Sequence, residues 1–371
     1  MKKILIFSLA YYPRVGGAEV AIKEITDRVS DIEFHMLTQR FSPQDAKEER
    51  IGNVLVHRVG SGDSYLAKTA YLFVAARAAR ALNRREHFDA AWVMMSYMLV
   101  PLTLAHLGIP YALTLQEGDT YGHMFGRLRV LPLLPLISRG FKRASVVQAI
   151  STYLGQWARR RGFTGPLEVV PNGVDTVRFS GEPEPHLGAV LITTSRLVAK
   201  NAVDEVIRAL ALLPESVRFQ ILGVGPDEQM LRALAKAMGV EARVEFLGHV
   251  AHSELPAHLH RADIFIRPSR SEGMRNSFVE AMAAGLPVIA TQEGGIADFL
   301  FDAKRNPDKP TTGYAVDKDS PEQIAAAVKE ILAKPEEARR VTENAKKLAF
   351  EKYDWDLITR DMREKVFARV L

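Results

Sequence analysis

Hydrophobic and polar positions along the chain follow two patterns. Short apolar runs rich in β-branched residues predict strands, and stretches with apolar residues every three or four positions predict helices. The predicted strands are KILIFSLA, EFHMLT, VLVHRV, AAWVMM, YALTLQ and VVQAIS in the first half, and GAVLITTS, RFQILGVG, VEFLGH, IFIRPS, PVIAT and GYAVD in the second. Helical patterns lie between them, as at Gly17–Val29, Ala202–Leu213 and Gln229–Met238.

The order of these elements indicates an α/β fold. Continuous apolar strands separated by helices are typical of parallel sheets that are covered on both faces. A chain of 371 residues is long for a single core, so we expect two doubly wound domains in tandem. The segment Arg178–Gly188 is rich in Pro, Gly and Glu and is the predicted linker. The predicted domains are residues 1–180 and 181–354, followed by a last helical segment at about 355–371.

Composition excludes several classes of protein. The chain has no cysteine, which excludes disulfides, thiolate zinc sites and a cysteine nucleophile. No window reaches the roughly 18 to 20 apolar residues that span a bilayer. The N-terminal MKKILIFSLAYYP is interpreted as a buried first strand, because its apolar run is short and no small-residue cleavage site follows. We therefore expect a cytoplasmic protein.

The net charge of +5 is unevenly distributed. Residues 1–180 hold 23 Lys and Arg against 15 Asp and Glu, a net of +8. Thr120–Leu167 contains eight basic residues and no acid, and Tyr65–Arg85 contains five and none. Basic surfaces with apolar neighbours associate with anionic lipid. We expect peripheral contact with the inner membrane face or a lipid-linked acceptor and no nucleic-acid partner; a solvated basic helix face is the alternative.

Candidate ligand contacts lie in loops that follow strands, where parallel sheets bind ligands. Gly16-Gly17 would let a phosphate approach the backbone, although an ordinary strand-to-helix turn explains the pair equally well. Arg196 and Lys200 would neutralise a diphosphate, with an exposed surface pair as the alternative. The sequence GVGP at 223–226 lacks the third glycine of a dinucleotide loop and is weak evidence for NAD.

The segment PSRSEGMRNSFVEAMAAGLPVIA carries two acids around a short polar run. Ser277 and Glu280 match a capping box, with Ser277 as N-cap and Glu280 at the third helical position. That explains Glu280 but not Glu272-Gly273. We expect the backbone N–H groups of residues 273–277 to point at the ligand, with Glu272 beside them as an acceptor for sugar hydroxyls.

Several motifs together resemble glycosyltransferase family 4: GGAE at 16–19, VVPNGVD at 169–175, SRL followed by Lys200, FLGHV at 246–250 and PSRSEG…VEAMAAGLPVIAT…GG. The resemblance implies the GT-B fold, with two Rossmann-like doubly wound domains facing across a cleft and a final helix that crosses back to the N-terminal domain. It also implies a retaining glycosyltransferase that needs no metal or other cofactor. Such an enzyme moves a sugar from a nucleotide-diphosphate donor to a hydroxyl of a glycan or lipid-linked acceptor.

The resemblance assigns roles to individual residues. Glu280 would hold the ribose hydroxyls, Glu272 would lie beside the transferred sugar, and Arg196 would grip the diphosphate. The predicted catalytic residues are Glu272, Arg196, Lys200, Gln116 and Asp119. The predicted donor-binding residues are Gly16, Gly17, Arg196, Lys200, Gly273, Met274, Asn276, Ser277 and Glu280.

Two positions depart from the family pattern. Asn201 stands where the family often has lysine, and Gln116 stands where many members have histidine. Two other functions stay open: a sugar-nucleotide epimerase of the same fold, and a non-catalytic binder of nucleotide sugars or polyanions. The motif DWD at 354–356 and the histidines at 249, 252, 258 and 260 suggest metal ligands, but their placement fits no site, so we expect no metal.

Overall fold

The computed structural model describes residues 1–182, 184, 188–274 and 276–371. Its contacts divide the chain into two compact units, Met1–Asn172 with Trp355–Leu371, and Gly173–Asp354. The first break lies before residue 180, because Val174 pairs with Asp354 inside the second unit. Part of the predicted linker, residues 183 and 185–187, lies outside the described residues.

Each apolar run that the sequence predicts as a strand contains one. In chain order they are β1 Lys2–Phe7, β2 Ile32–Gln39, β3 Glu48–Ile51, β4 Val54–Val59, β5 Ala90–Met94, β6 Tyr111–Leu115, β7 Val146–Ala149, β8 Leu167–Val169, β9 Ala189–Thr194, β10 Val217–Leu222, β11 Val244–Gly248, β12 Ile264–Arg267, β13 Val288–Ala290 and β14 Tyr314–Ala315.

Most α-helices lie between successive strands, and the last three follow the last strand. They are α1 Gly17–Arg28, α2 Tyr65–Glu86, α3 Leu99–Ala105, α4 Tyr121–Phe125, α5 Leu134–Arg143, α6 Thr152–Arg160, α7 Thr176–Phe179, α8 Val203–Leu210, α9 Glu228–Ala237, α10 Leu255–Leu259, α11 Asn276–Ala283, α12 Pro321–Ala333, α13 Pro335–Lys352 and α14 Trp355–Asp361. Within the described part of the chain, no helix combines the length and the apolar character needed to cross a bilayer.

The first unit is built on one sheet in the order β3-β4-β2-β1-β5-β6-β7-β8. All pairings are parallel except that of β3 with β4. The sequence prediction omitted β3 and β8, the two edge strands. Strand β3 reads EERI and is mostly exposed, so it carries no apolar run, and β8 is only three residues long.

The C-terminal segment completes the core of the first unit. Trp355 on α14, and Met362 and Phe367 after it, are buried among the residues of β1, β2 and α1. The Phe367 ring meets the edge of Trp92 with 5.1 Å between ring centroids. Arg363 forms a salt bridge of 2.6 Å with Asp31. The last seventeen residues, 355–371, therefore belong structurally with the first 172.

The second unit has a wholly parallel sheet in the order β11-β10-β9-β12-β13-β14. The chain winds outward from β9 to one edge and then from β12 to the other. The sequence order therefore reverses between β9 and β12, and in such sheets ligands bind beyond the carboxyl ends of the two strands at the reversal. In the first unit the corresponding reversal lies between β1 and β5.

Candidate active site

In the second unit, the loop after β9 carries Arg196 and Lys200. Arg196 is exposed and Lys200 is half-buried. The loop lies directly on the glycines after β10: the N–H of Leu197 donates to Val224 O at 3.1 Å. A Cβ at Gly223 would lie 1.8 Å from Ser195 O, and one at Gly225 would lie 2.1 Å from Leu197 O. The G-x-G pattern is therefore required for backbone packing.

Arg267, at the end of β12, joins three segments of the candidate site. Its side chain is 3% exposed, and Nη2 donates to Glu272 Oε2 at 3.0 Å. The same nitrogen donates to Asn201 Oδ1 at 2.8 Å, and Nη1 donates to Ser277 Oγ at 3.1 Å. Sequence reasoning missed this residue. An arginine that ends a fully buried strand is the signal that was available, because a buried charge needs partners.

Glu272 is fully buried, and both of its carboxylate oxygens accept hydrogen bonds. Oε2 accepts from Arg267, and Oε1 accepts from the backbone N–H of Gly273 at 3.1 Å. The Glu272 carbonyl accepts the N–H of Gly295 at 3.1 Å, which ties this loop to the one after β13. The loops after β9, β12 and β13 therefore meet around Glu272.

The predicted capping box at Ser277 and Glu280 is wrong. Helix α11 begins at Asn276, so Ser277 lies within its first turn and is not the N-cap. The Ser277 hydroxyl instead accepts from Arg267. Glu280 is buried, and its Oε1 lies 3.0 Å from His252 Nε2. The carboxylate thus contacts a side chain of an adjacent loop.

The other predicted donor contacts in this region occupy the turn into α11. Gly273 and Met274 are buried, and Asn276 Nδ2 donates to Gly173 O at 3.2 Å. Position 275, within the predicted run of backbone donors, lies outside the described residues. The structure therefore brings Glu272, Gly273 and Met274 to the N-terminal end of the helix that carries Glu280.

In the first unit, Gly16 and Gly17 are exposed at the start of α1. Gly16 is the N-cap, and its N–H donates to Glu19 Oε2 at 2.8 Å. A Cβ on Gly17 would lie 3.5 Å from Gln116 Nε2. The predicted glycine loop and the predicted polar side chain after β6 are therefore neighbours.

The loop after β6 is fixed by a buried acid that sequence reasoning passed over. Glu117 accepts the N–H of Ser96 at 2.7 Å and the N–H of Gln116 at 2.9 Å. Burial raises the pKa of Glu117, and these N–H donors oppose the rise. Within the described part of the chain, the buried Oε1 of Gln116 has no hydrogen-bond partner. Asp119 is half-buried, with Oδ2 3.8 Å from His123 Nε2.

The motifs discounted as metal ligands hold structural contacts. Asp354 accepts the hydroxyl of Thr176 at 2.5 Å, and Asp356 accepts Arg28 Nε at 2.8 Å. His260 Nε2 lies 3.0 Å from the carbonyl of Phe179. These contacts lie at element ends and fix local structure.

An unpredicted polar cluster lies on β2 and the end of α2. Glu33, His35 and Glu86 place one possible ligand atom each within 4.8 Å of one another. The ammonium of Lys3 lies 3.0 Å from Glu86 and 3.6 Å from Glu33, so a cation already balances these acids.

Two family models together match most of the chain. Residues 15–178 match the family model described as Glycosyltransferase Family 4, and residues 178–348 match the model described as Glycosyl transferases group 1. A GDP-mannose-dependent α-(1-6)-phosphatidylinositol monomannoside mannosyltransferase of Mycobacterium tuberculosis is 31% identical over 272 residues, 67% of this chain and 68% of that protein. Its counterpart of the same name in Mycolicibacterium smegmatis is 31% identical over 263 residues, 64% and 66% of the two chains.

The chain thus spans about two thirds of the length of these two mannosyltransferases. Among solved structures, the sucrose-phosphate synthase of Thermosynechococcus elongatus superposes with a TM-score of 0.85 at 17% identity, over 99% of this chain and all of that one. At that identity the likeness concerns the fold alone. These findings confirm the family and fold indicated by the motifs: the chain belongs to glycosyltransferase family 4 and has the GT-B fold.

Proposed function

We propose that the chain is a retaining, metal-independent glycosyltransferase that transfers mannose from GDP-mannose to a hydroxyl of a lipid-linked acceptor. One observation carries the proposal. At the carboxyl ends of β9 and β12, a buried Glu272 lies in the loop next to the one that carries Arg196 and Lys200. An acid beside cations at a sheet's reversal point suits a ligand with sugar hydroxyls at one end and phosphates at the other.

The roles follow the chemistry of each group. Arg196 and Lys200 supply positive charge for the diphosphate, and Glu280 accepts hydrogen bonds from the ribose hydroxyls. Glu272 lies beside the transferred sugar. In the first unit, the exposed backbone of Gly16-Gly17 contacts phosphate oxygens. The Gln116 carbonyl oxygen, which has no hydrogen-bond partner among the described residues, accepts a hydrogen bond from a sugar or acceptor hydroxyl.

The reaction exchanges one bond at the anomeric carbon for another. The bond from that carbon to the β-phosphate oxygen breaks, and its electron pair leaves with the phosphate. The acceptor oxygen bonds to the same face and gives its proton to the departing phosphate. Fixed cations and N–H dipoles stabilise the charge that develops on the phosphate, so no metal is required. The configuration at the anomeric carbon is retained because attack and departure share one face.

The donor and acceptor are proposed from the relatives. The two mycobacterial proteins are named for GDP-mannose and for a phosphatidylinositol mannoside, and they share 31% of aligned residues with this chain. Mannose on a lipid-linked acceptor is therefore the first pair to test, with UDP and ADP sugars as the competing donors.

A surface of the first unit supports a membrane-borne acceptor. Arg129 lies over the Tyr65 ring at 4.8 Å, so the two acid-free basic runs meet there. Leu66 and Leu128 are 78% and 84% exposed. Helix α5, which lies in the basic run Thr120–Leu167, lines a hollow with Pro135, Ser138, Arg139, Lys142 and Arg143. Cations around exposed leucines match an anionic lipid surface.

The test has two stages, both in the presence of EDTA. A thermal-shift panel of GDP, UDP, ADP and their sugar conjugates identifies the nucleotide, because a ligand that binds only the folded state raises the Tm. Transfer from the selected donor to a lipid-linked acceptor is then followed, and NMR gives the anomeric configuration of the product. GDP-mannose binding and an α-linked product support the proposal.

The other outcomes reject it in distinguishable ways. Donor turnover that yields a changed sugar nucleotide without an acceptor product indicates an epimerase. Tight donor binding without release of nucleoside diphosphate indicates a non-catalytic binder. Transfer that stops in EDTA and returns with a divalent cation refutes metal independence, and a β-linked product refutes retention.

A further inference from the structure

Arg267 holds three segments of the second unit in one geometry. Its side-chain partners include Asn201 in the loop after β9, Glu272 in the loop after β12, and Ser277 in the first turn of α11. A guanidinium is planar and its N–H groups point in fixed directions. Three partners bound to one buried guanidinium therefore cannot shift independently of one another.

Asn201 extends this geometry to Arg196. Its side chain is 1% exposed, and Nδ2 donates to the backbone carbonyl of Arg196 at 2.5 Å. The backbone of Arg196 is thereby tied to Arg267 through one intermediate, while its own side chain stays exposed. Arg267 therefore holds both Arg196, the proposed diphosphate ligand, and Glu272, the proposed sugar ligand.

We propose that Arg267 is a positioning residue for sugar transfer: it orients the Glu272 carboxylate and places Arg196 as one assembly, without contacting the substrate. The inference rests on the proposed function. The guanidinium already donates to three side chains of the protein, and the two oxygens of Glu272 are each held by a donor on the protein. Misplacing a reacting group by about 1 Å can cost about 100-fold in rate.

The kinetic test compares Arg267→Gln, Arg267→Lys, Glu272→Gln and the double variant Arg267→Gln/Glu272→Gln. We expect Arg267→Gln to lower kcat roughly 100-fold, with the KM for the donor changing by less than about threefold. Arg267→Lys keeps the positive charge but lacks the planar set of N–H donors, so we expect it to recover part of the lost kcat. If Arg267 acts partly through Glu272, adding Arg267→Gln to Glu272→Gln lowers kcat by a smaller factor than Arg267→Gln lowers it in the wild-type protein.

Two further measurements separate positioning from general instability. Arg243→Gln is the matched control, because Arg243 lies in the same unit and donates to the carbonyls of Leu210, Leu213 and Pro214. Hydrogen exchange is followed in peptides covering 195–202 and 268–281. We expect Arg267→Gln to accelerate exchange at least tenfold there, and Arg243→Gln to leave those peptides unchanged.

The same set of variants distinguishes a loss of folding from a loss of catalytic function. Should Arg267→Gln fail to fold, the double variant, which removes both buried charges, supplies the exchange measurement. Effects on kcat that multiply in the double variant overturn the proposal. So does unchanged exchange in the two peptides. If the wild-type protein transfers no sugar, the proposed function fails, while the exchange comparison still decides whether Arg267 holds these loops.

Discussion

His252 Nε2 lies 3.0 Å from Oε1 of Glu280, so a half-exposed ring covers a buried carboxylate. The side chain of Glu280 is 8% exposed and that of His252 is 47% exposed. An exposed ring can rotate away at small cost, whereas the carboxylate is fixed on α11. When the His252 ring moves aside, the Glu280 carboxylate can accept hydrogen bonds from the hydroxyl groups of a ligand.

Replacing Glu280 tests its role in donor binding. We expect Glu280→Ala to raise the Kd for the donor roughly 10- to 100-fold, because hydrogen bonds to a charged acceptor contribute about 1.5–3 kcal/mol. Titration calorimetry with GDP-mannose measures the effect. Glu245→Gln, on the edge strand β11, is a control that should bind normally. Unchanged affinity in Glu280→Ala would restrict Glu280 to the contact with His252.

Replacing Arg196 tests the proposed charge stabilisation. We expect Arg196→Ala to reduce kcat by roughly 100-fold, because a fixed charge next to the leaving group is lost. The Tm should stay within about 2 °C of the wild-type value, since the side chain is exposed and its carbonyl still accepts from Asn201. Arg218→Ala removes an exposed arginine of β10 and should leave kcat unchanged. A normal kcat in Arg196→Ala would contradict the assignment.

Stability should fall in mild acid because of His57. Burial lowers the pKa of His57 below its ordinary value of 6.5; the nearby Glu48 opposes this and His35 and Arg85 add to it. The unfolded chain therefore binds a proton more readily than the folded one. The contribution of neutral His57 to the free energy of unfolding is complete above pH 6.5. It is lost as the pH falls toward the lower pKa of His57 in the folded state.

Urea unfolding between pH 7.5 and 5.5 measures this loss. We expect a flatter stability profile for His57→Gln than for wild type, and an unchanged profile for His106→Gln, which alters an exposed histidine. Identical slopes for His57→Gln and wild type would show that other groups control the acid sensitivity.

The glycine that supports the Arg196 loop should resist replacement. At Gly223, φ is +146° and an added Cβ would lie 1.8 Å from Ser195 O, so Gly223→Ala must displace the loop. We expect a loss of at least about 3 kcal/mol in unfolding free energy or a failure to fold. Gly239→Ala has a positive φ of +70° but open space around it, and should cost about 1 kcal/mol. Equal losses in the two variants would refute the packing role.

The exposed leucines of the first unit can be tested with vesicles. We expect Leu66→Glu/Leu128→Glu to abolish flotation with anionic liposomes, because it adds two negative charges to an apolar, basic surface. Val177→Glu changes a residue that is 79% exposed in the second unit and should leave flotation intact. If the wild-type protein does not float with the liposomes, the proposed contact of the first unit with an anionic lipid surface is refuted.

Sequence patterns predicted most of the fold because buried parallel strands read as uninterrupted apolar runs. They failed at the two edge strands of the first unit, as with the charged β3, which pairs with β4 and carries no apolar run. The motif loops around Glu272 were predicted as a site from their similarity to a family. The network that supports them was not, because Arg267 and Asn201 are 66 positions apart in sequence. Only the tertiary fold brings their side chains together.

The first unit includes both residues 1–172 and residues 355–371. During synthesis, Phe367 and Trp355 leave the ribosome only after the whole second unit has been made, yet they are part of the first unit's core. Part of the apolar surface of the early strands therefore stays uncovered until residues 355–371 have been made. The first unit is thus the first to begin and the last to have all of its residues synthesised, whereas the second unit is one continuous segment.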